Sequence, residues 1–238
     1  METLKIIDIN DYSVKIEKIG RGIYKMSLER NNNLVSSKYL IYDFEGYEFI
    51  ATPSYLDRSV LVKFDIPVIV GPRKEKRIFI LLPIEVDIVA KKGSDEITLE
   101  NIKPDNLKDA WFGELHEGAI YYYYESSVFG ELEPDRKKES EVFVPIIIKN
   151  KDNEQRKLEK LLIDSYQLSI YDVDGIWVSE KVDVIVEDNE IVVYYSDEPP
   201  AKGAKEIKRG DVNIARKGLA KLLNRNLGKL KTKIFNYG

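Results

Sequence analysis

Residues 12–17 read Tyr-Ser-Val-Lys-Ile-Glu, and this alternation of apolar and polar side chains decides the fold class. In an extended chain successive side chains point to opposite faces, so Tyr12, Val14 and Ile16 share one face and the polar residues between them share the other. A period of two with β-branched residues is typical of a sheet with one face in water. The same pattern recurs at residues 24–29, 84–88 and 181–186.

Turn signals interrupt these predicted strands at short intervals. They are glycines, prolines and Asp/Asn pairs at residues 20–22, 45–46, 71–72, 92–93, 174–175 and 188–189. Many short strands without intervening helices favour an antiparallel sandwich or barrel. We therefore predict a mainly β, antiparallel β-sandwich-like fold.

Two stretches have less regular patterns. Residues 104–111, Pro-Asp-Asn-Leu-Lys-Asp-Ala-Trp, suit a single helical turn that bridges two β units. Residues 155–163 suit either a strand or a short helix, and we favour a strand because apolar residues continue beyond them.

A weak internal repeat suggests two duplicated halves. Residues 66–70 and 78–89, with charges between them, resemble residues 144–148 and 161–171. We predict a β domain at 1–103, a second β domain at 104–200 that could be continuous with the first, and a tail at 201–238. Pro199-Pro200 forms a stiff hinge before the tail in this interpretation.

The tail carries the opposite charge to the rest of the chain. Residues 202–238 contain 11 basic and two acidic residues, a net charge of +9. Residues 1–201 contain 26 basic and 39 acidic residues, a net charge of −13. Such an asymmetry indicates a body and an attachment with different partners.

The tail sequence predicts a basic amphipathic α-helix that begins at Asp211. Apolar residues three and four positions apart fall within an arc of roughly 140°. They are Val212, Ala215, Leu219, Leu222, Leu223, Leu227, Leu230 and Ile234. The candidate binding residues are the cations Arg216, Lys217, Lys221, Arg225, Lys229 and Lys231.

Two glycines make this helix marginal on its own. Gly218 and Gly228 each cost about 1 kcal/mol relative to alanine, so the helix needs a surface to complete it. That surface could be the protein's own sheet, an anionic membrane, a protein partner, a second copy of the chain or nucleic acid. Nucleic acid is the weaker alternative, because a body of −13 repels a long polyanion.

Composition argues against several kinds of catalytic site. The chain has no cysteine, so it has neither disulfides nor Cys-ligated metals. The one histidine, His116, lies between Glu114 and Glu117, which suits an exposed loop better than a general base or metal ligand. No nucleophile elbow or phosphate-binding glycine loop is present. We nominate no catalytic or metal-binding residue, expect no cofactor, and favour a protein that is not an enzyme.

Two further motifs have competing interpretations. Residues 172–175, Asp-Val-Asp-Gly, resemble the start of a calcium loop, but a hairpin turn at Asp174-Gly175 explains them better. Tyr121 to Tyr124 form a tyrosine run in which Tyr121 and Tyr123 share one face. These two rings could stack on a sugar or a base, or they could fill the interior of a sandwich.

The remaining composition suggests a source and a location. Abundant Lys, Glu, Ile and Tyr with two Gln and two Met is typical of heat-loving organisms. No apolar run approaches the ~20 residues of a membrane span, and the N-terminus lacks signal-peptide features. We expect a cytoplasmic protein.

Residues 144–151, 161–164 and 167–175 resemble an archaeal family of unknown function, the domain-of-unknown-function family number four hundred and thirty-two. The resemblance implies an archaeal source and supplies no activity or site residue. From the residues themselves we predict a binding or interaction module whose basic helix docks on an anionic surface or a protein partner. Nucleic-acid binding and a carbohydrate-binding or carbohydrate-active sandwich are the alternatives.

Overall fold

Strands form nearly all of the regular structure, as the alternating sequence predicts. The computed structural model describes residues 2–105, 107–112, 119–188, 190–210 and 233–235. Within these residues the chain forms strands and two short 3-10 turns, Pro134–Arg136 and Ser165–Gln167, and no α-helix. The predicted mainly β class is therefore confirmed.

Twenty strands follow one another through the described residues. They are β1 (Glu2–Ile9), β2 (Tyr12–Gly20), β3 (Ile23–Arg30), β4 (Asn33–Ile41), β5 (Glu48–Ser54), β6 (Val60–Val70), β7 (Glu75–Pro83), β8 (Glu85–Lys92), β9 (Asp95–Ile102), β10 (Lys108–Phe112), β11 (Ala119–Ser126), β12 (Val128–Phe129), β13 (Glu141–Asn150), β14 (Arg156–Ile163), β15 (Ile170–Val173), β16 (Ile176–Ser179), β17 (Val182–Glu187), β18 (Glu190–Tyr195), β19 (Lys205–Lys208) and β20 (Lys233–Phe235).

The chain divides into two compact units and passes between them several times. Unit 1 comprises Met1–Ser54, Glu85–Lys103 and Lys138–Ser140. Unit 2 comprises Tyr55–Ile84, Pro104–Lys137 and Glu141–Gly238. The consecutive ranges proposed from sequence, 1–103, 104–200 and 201–238, do not describe this interleaving.

Unit 1 contains two antiparallel sheets. One is the meander β1-β2-β3-β4, and the other has the order β5-β8-β9. The alternation of residues 12–17 is found in β2, where Val14 and Ile16 are fully buried. Glu17 is also buried, and it forms an ion pair of 2.6 Å with Lys15. Lys138–Ser140 joins this unit through Asn10, whose amide oxygen accepts a hydrogen bond of 3.0 Å from the Glu139 backbone N–H.

Unit 2 contains a five-stranded sheet and an eight-stranded sheet. The first has the order β14-β6-β11-β10-β20. The second has the order β12-β7-β13-β16-β15-β19, with β17 also pairing with β13 and β18 pairing with β17. Both sheets are mixed, because β11 runs parallel to β6 and β17 runs parallel to β13. The expectation of purely antiparallel sheets is corrected here.

Two strand pairs cross from one sheet of unit 2 to the other. The chain leaves the five-stranded sheet after β6 and enters the eight-stranded sheet as β7, while β13 and β14 make the same crossing in the opposite direction. The two crossings pack side by side, with β6 paired to β14 and β7 paired to β13. Alternate residues of these strands, such as Val62, Ile80, Val144 and Leu161, fill the apolar core. Most of the repeated segments predicted from sequence therefore lie in unit 2, whereas residues 85–89 belong to unit 1.

Pro145 lies inside β13 at a point where its missing N–H leaves no gap in the pairing. A proline in a central strand normally removes a ladder hydrogen bond. On one side Pro145 is the neighbour of Phe79 in β7. On the other side β13 changes partner at this position, because Phe143 is opposite β16 and Ile146 is opposite β17.

Two local predictions can be compared with the structure. Residues 156–163 form strand β14, so the preference for a strand is confirmed. Residues 108–112 form strand β10, so the helical turn predicted for 104–111 is wrong. In β10 the backbone groups of these residues pair with those of β11, and a single helical turn would not provide these hydrogen-bond partners.

Most of the predicted C-terminal helix lies outside the described residues, at 211–232. Its last part is described, and it is a strand: Lys233–Phe235 pair with β10 as β20. Ile234, which the sequence pattern placed on the apolar face of the helix, is therefore opposite Ala110 in a sheet.

Asn150 connects the bends of both crossings. Its side-chain amide donates hydrogen bonds to the carbonyl oxygens of Val70, Gly71 and Glu154, at 3.1, 2.9 and 2.8 Å. Its side-chain oxygen accepts a bond of 3.0 Å from the Asp152 N–H. The residue is only 3% exposed, so water cannot replace these bonds.

We predict that Asn150→Ala lowers the free energy of unfolding by about 2 kcal/mol or more, because it removes a buried side chain that donates to three backbone carbonyl oxygens, one of them buried. Chemical denaturation of the full chain measures the change. Asn153→Ala is the matched control: Asn153 is exposed and accepts one hydrogen bond, from Arg73. Its effect should stay within about 0.5 kcal/mol, and equal losses in the two variants would contradict the role given to Asn150.

Candidate functional site

An open groove of about 520 Å³ lies in unit 1, and its size is that of a ligand pocket. One wall is built by the first residues of β1 and the end of β2, including Leu4, Lys5 and Lys18. Leu4 is the extra residue of a bulge, because Thr3 is opposite Glu17 and Lys5 is opposite Ile16. The other wall is the loop from Phe44 to Glu48.

Aromatic rings form the floor of the groove, and Phe44 is at their centre. Its ring centroid lies 5.1 Å from Tyr24, 5.7 Å from Tyr47 and 5.5 Å from Phe49, each in an edge-on arrangement. Tyr42 packs on it at 4.9 Å. Such edge-on pairs add stability beyond their buried area, so the floor is held in one arrangement.

The second wall is fixed by a turn and by Lys92. The Tyr47 N–H donates to the Phe44 carbonyl oxygen at 3.1 Å, and Gly46 adopts a φ of +79°, which suits glycine at the third position of a type II turn. The Lys92 ammonium donates to the Glu45 carbonyl oxygen at 2.9 Å and lies 5.5 Å from the centre of the Tyr47 ring. A Cβ at residue 46 would come within 3.2 Å of that ammonium nitrogen.

The rim of the groove carries charges of both signs. Two lysines, Lys5 and Lys18, stand with three glutamates, Glu2, Glu45 and Glu48. Within the described part of the chain none of the five forms a salt bridge within 4 Å. The Tyr47 hydroxyl donates to the Asp95 carboxylate, and this hydrogen bond raises the pKa of the phenol. An apolar floor beneath mixed charges suits the binding of an amphipathic ligand.

A second polar feature, the Asp164 cluster, is buried in unit 2. The Asp164 carboxylate accepts hydrogen bonds from the Ser59 hydroxyl and from the Gln167 amide, the latter at 3.0 Å. Its backbone N–H donates to the Tyr195 hydroxyl at 2.9 Å. Sequence reasoning did not identify these residues, because each is a common residue type, and Ser59 and Tyr195 are far in sequence from Asp164 and Gln167.

Glu180 is a second buried acid in the same unit and is 1% exposed. Its carboxylate accepts hydrogen bonds from the backbone N–H groups of Ser169, at 3.0 Å, and Asp197. Burial raises the pKa of this carboxyl, and the two N–H donors partly oppose the shift.

The basic C-terminal segment starts beside these buried acids. Strand β19 pairs with β15, and the Arg209 guanidinium contacts Glu206 at 2.9 Å and Asp197 at 2.8 Å. The Gly210 N–H donates to the Ser169 hydroxyl at 3.2 Å. A Cβ at residue 210 would overlap the Gln167 carbonyl, so only glycine fits there.

The residues nominated from sequence do not meet at one place in the described structure. The six cations of the predicted helix, Arg216 to Lys231, lie outside the described residues, and so does His116. Tyr121 and Tyr123 are described and are 5% and 4% exposed, in a small apolar cluster with Leu61, Ala110 and Leu162. Their buried rings leave little surface for a stacked ligand.

The Asp-Val-Asp-Gly motif forms a tight hairpin turn between β15 and β16, as predicted. Asp174 and Gly175 have φ angles of 54° and 84°. The Gly175 N–H donates to the Asp172 carboxylate at 2.9 Å, so that carboxylate stabilises the turn.

The described residues offer neither a metal-binding cluster nor a membrane-spanning helix. They contain no group of three or more His, Cys, Asp or Glu side chains placed to hold a metal ion. Nor do they contain a helix with the length and apolar character needed to cross a membrane.

We predict that Glu180→Gln reduces the pH dependence of stability. The folded-state pKa of Glu180 is raised, so its contribution to stability is complete below the unfolded pKa and is lost as the pH rises through the folded value. The unfolding free energy measured from pH 4 upward should therefore fall less steeply in the variant. Glu159→Gln, at an exposed position where Lys157 lowers the pKa, is the control and should not flatten this limb. Identical profiles for wild type and Glu180→Gln would contradict the prediction.

Comparison with known proteins assigns a family and no activity. No curated protein and no solved structure matches this chain. The family described as a protein of unknown function, DUF432, matches residues 1–225, which include all of unit 1, most of unit 2 and much of the basic segment. The chain therefore belongs to the DUF432 family.

Proposed function

We propose that this protein is a non-catalytic binding module that attaches to an anionic membrane surface through residues 202–238. The observation that carries the proposal is the charge of that segment, +9 against −13 for the rest of the chain. Basic segments near an anionic leaflet gain about 1 kcal/mol per lysine or arginine.

Apolar residues interleaved with the cations favour a membrane over a purely polar polyanion. Leu219, Leu222, Leu223, Leu227 and Leu230 are spaced three and four apart among the lysines. A basic amphipathic segment of this kind binds in the interface plane with its apolar face in the acyl boundary. The acidic body also disfavours a long nucleic acid, which would extend beyond the segment.

The described anchors support a segment attached at both ends. Gly210 is bonded to Ser169 at its start, and Lys233–Phe235 pair with β10 at its end, both in unit 2. The residues between these two anchors are therefore attached to unit 2 at both ends. Such attachment holds the cations near one unit and lowers the entropy lost on binding.

We predict that Lys217→Gln/Lys221→Gln weakens binding to vesicles containing about 30% anionic lipid, by roughly tenfold or more. Co-sedimentation of the full chain at low and high salt measures binding, and salt should weaken it in the wild type. Lys74→Gln/Lys76→Gln removes the same charge from exposed positions elsewhere and should have little effect. Equal loss in both variants, or retention that ignores salt, would refute the proposal. Binding to duplex or single-stranded nucleic acid in place of vesicles would support the nucleic-acid alternative.

The groove of unit 1 supports a second candidate function, the binding of a small amphipathic ligand. Its aromatic floor and its rim of two lysines and three glutamates are the specific observation. The groove is also the better candidate for carbohydrate binding. Tyr47 at the groove is only partly buried and could stack on a sugar, whereas Tyr121 and Tyr123 are buried.

We predict that Leu4→Trp fills the groove and abolishes ligand binding. Leu4 lines the groove, whereas Ile6 of the same strand is exposed and does not line it, so Ile6→Trp is the matched control. Ligand-observed NMR with a panel of small saccharides and aromatic carboxylates measures binding. A ligand that binds wild type and Ile6→Trp but not Leu4→Trp occupies the groove. Binding that survives Leu4→Trp, or a panel without any binder, would count against this function.

A further inference from the structure

Strand β4 is an edge strand whose outer side carries no described neighbour. It ends the sheet β1-β2-β3-β4 and pairs only with β3. It also holds the most exposed large apolar side chains of unit 1, with Tyr39 67% and Ile41 82% exposed. Exposed edges of this kind are templates for pairing with another strand.

The backbone groups that β4 offers for pairing can be identified. The Tyr42 N–H donates to the Gly22 carbonyl oxygen at 3.0 Å, and Leu40 is opposite Tyr24 in the same register. In an antiparallel pair the bonded residues alternate, so Leu40, Lys38 and Ser36 direct their backbone groups to β3. Ser37, Tyr39 and Ile41 therefore direct theirs outward.

The edge lacks the protection that other edge strands have. Charged side chains, above all lysine, normally prevent edge-to-edge pairing. Strand β1, at the opposite edge of the sheet, carries Glu2, Lys5 and Asp8 among eight residues. Strand β4 carries one charge in nine, Lys38, and this ammonium is directed into its own unit, where it donates to the Leu99 carbonyl and pairs with Glu100 at 3.0 Å.

The outward residues are complementary to themselves. The three residues with outward backbone groups pair with one another about a two-fold axis at Tyr39. Tyr39 lies opposite its own copy, and Ser37 lies opposite Ile41 of the other copy. In this register Lys38 is opposite Leu40, so no like charges meet. An interface between identical copies requires such self-complementarity, whereas a heterologous partner does not. The β-bulge near Val35 lies outside this regular part of the strand.

We propose that unit 1 associates with a second copy of the chain by antiparallel pairing of the two β4 strands about Tyr39. The pairing joins two four-stranded meanders into one continuous eight-stranded sheet. It places Tyr39 beside its copy on the outer face, where Lys25 and Ile23 are its neighbours within each chain. Cross-strand aromatic pairs of this kind stabilise sheets.

A charge-swap experiment at residue 39 tests this arrangement. In the proposed register residue 39 faces itself, so Tyr39→Lys and Tyr39→Glu should each weaken self-association by about tenfold or more through like-charge repulsion. An equimolar mixture of the two variants should restore the dimer, since lysine then faces glutamate. Sedimentation velocity over a concentration series of the full chain measures all three samples. Circular dichroism confirms that each variant is folded, as expected for a position that is 67% exposed.

Ile66→Lys is the control, because Ile66 is an equally exposed apolar residue of unit 2 and should leave the dimer unchanged. The chain has no cysteine, so Tyr39→Cys can be linked to its copy by a short bismaleimide without background. Cross-linking at 39 but not at an Ile66→Cys position supports the register. A wild type that stays monomeric at all concentrations, or a dimer that Tyr39→Lys leaves intact, would overturn the proposal.

Discussion

The structure of unit 2 depends on two strand pairs that cross between its sheets and are joined at their bends by Asn150. Burying the apolar faces of two sheets against each other stabilises the fold, and the backbone carbonyl oxygens at the bend of each crossing need hydrogen-bond donors. Asn150 donates to carbonyl oxygens of both bends. Asp152 extends the connection: its carboxylate accepts from the Asp188 N–H and pairs with Arg156 at 2.6 Å. The Asp188 N–H, followed by Arg156, lowers the pKa of Asp152 and keeps it charged.

Polar groups inside unit 2 concentrate where the C-terminal segment begins. Asp164 and Glu180 are buried acids held mainly by hydroxyl, amide and backbone N–H donors, and Gly210 is bonded within the same region. Buried carboxylates without such donors would be costly, so these bonds fix the local backbone. The consequence for function is that the basic segment begins at a backbone position, Gly210, that is fixed by hydrogen bonds. In unit 1 the corresponding rigid element is the aromatic cluster around Phe44, which gives the groove its shape.

The candidate sites differ in how far the sequence could have revealed them. The charge of residues 202–238 is visible without a structure, because charge depends on composition alone. The sequence contains one feature that indicates the groove, the aromatic residues at positions 42, 44, 47 and 49. Their spacing does not show that β1 and β2 form the opposite wall. The Asp164 cluster left no signal, since Ser59, Gln167 and Tyr195 are ordinary residues until pairing brings them together. Tyr121 and Tyr123 show the converse, because a tyrosine-rich strand has the same pattern whether its rings are buried or exposed.

The sequence by itself determined that the chain is built of strands, where many of its turns fall and that its end is basic. These properties follow from side-chain alternation, from the backbone preferences of glycine and aspartate, and from charge, all of which are local. Only the tertiary structure decided which strands pair, that the chain crosses between sheets from β6 to β7 and from β13 to β14, and that Lys233–Phe235 form a strand on β10. Strand pairing is decided by contacts between residues far apart in the chain. Apolar residues three and four positions apart predict a helix, but this spacing does not show whether a sheet edge such as β10 will pair with the same residues as a strand.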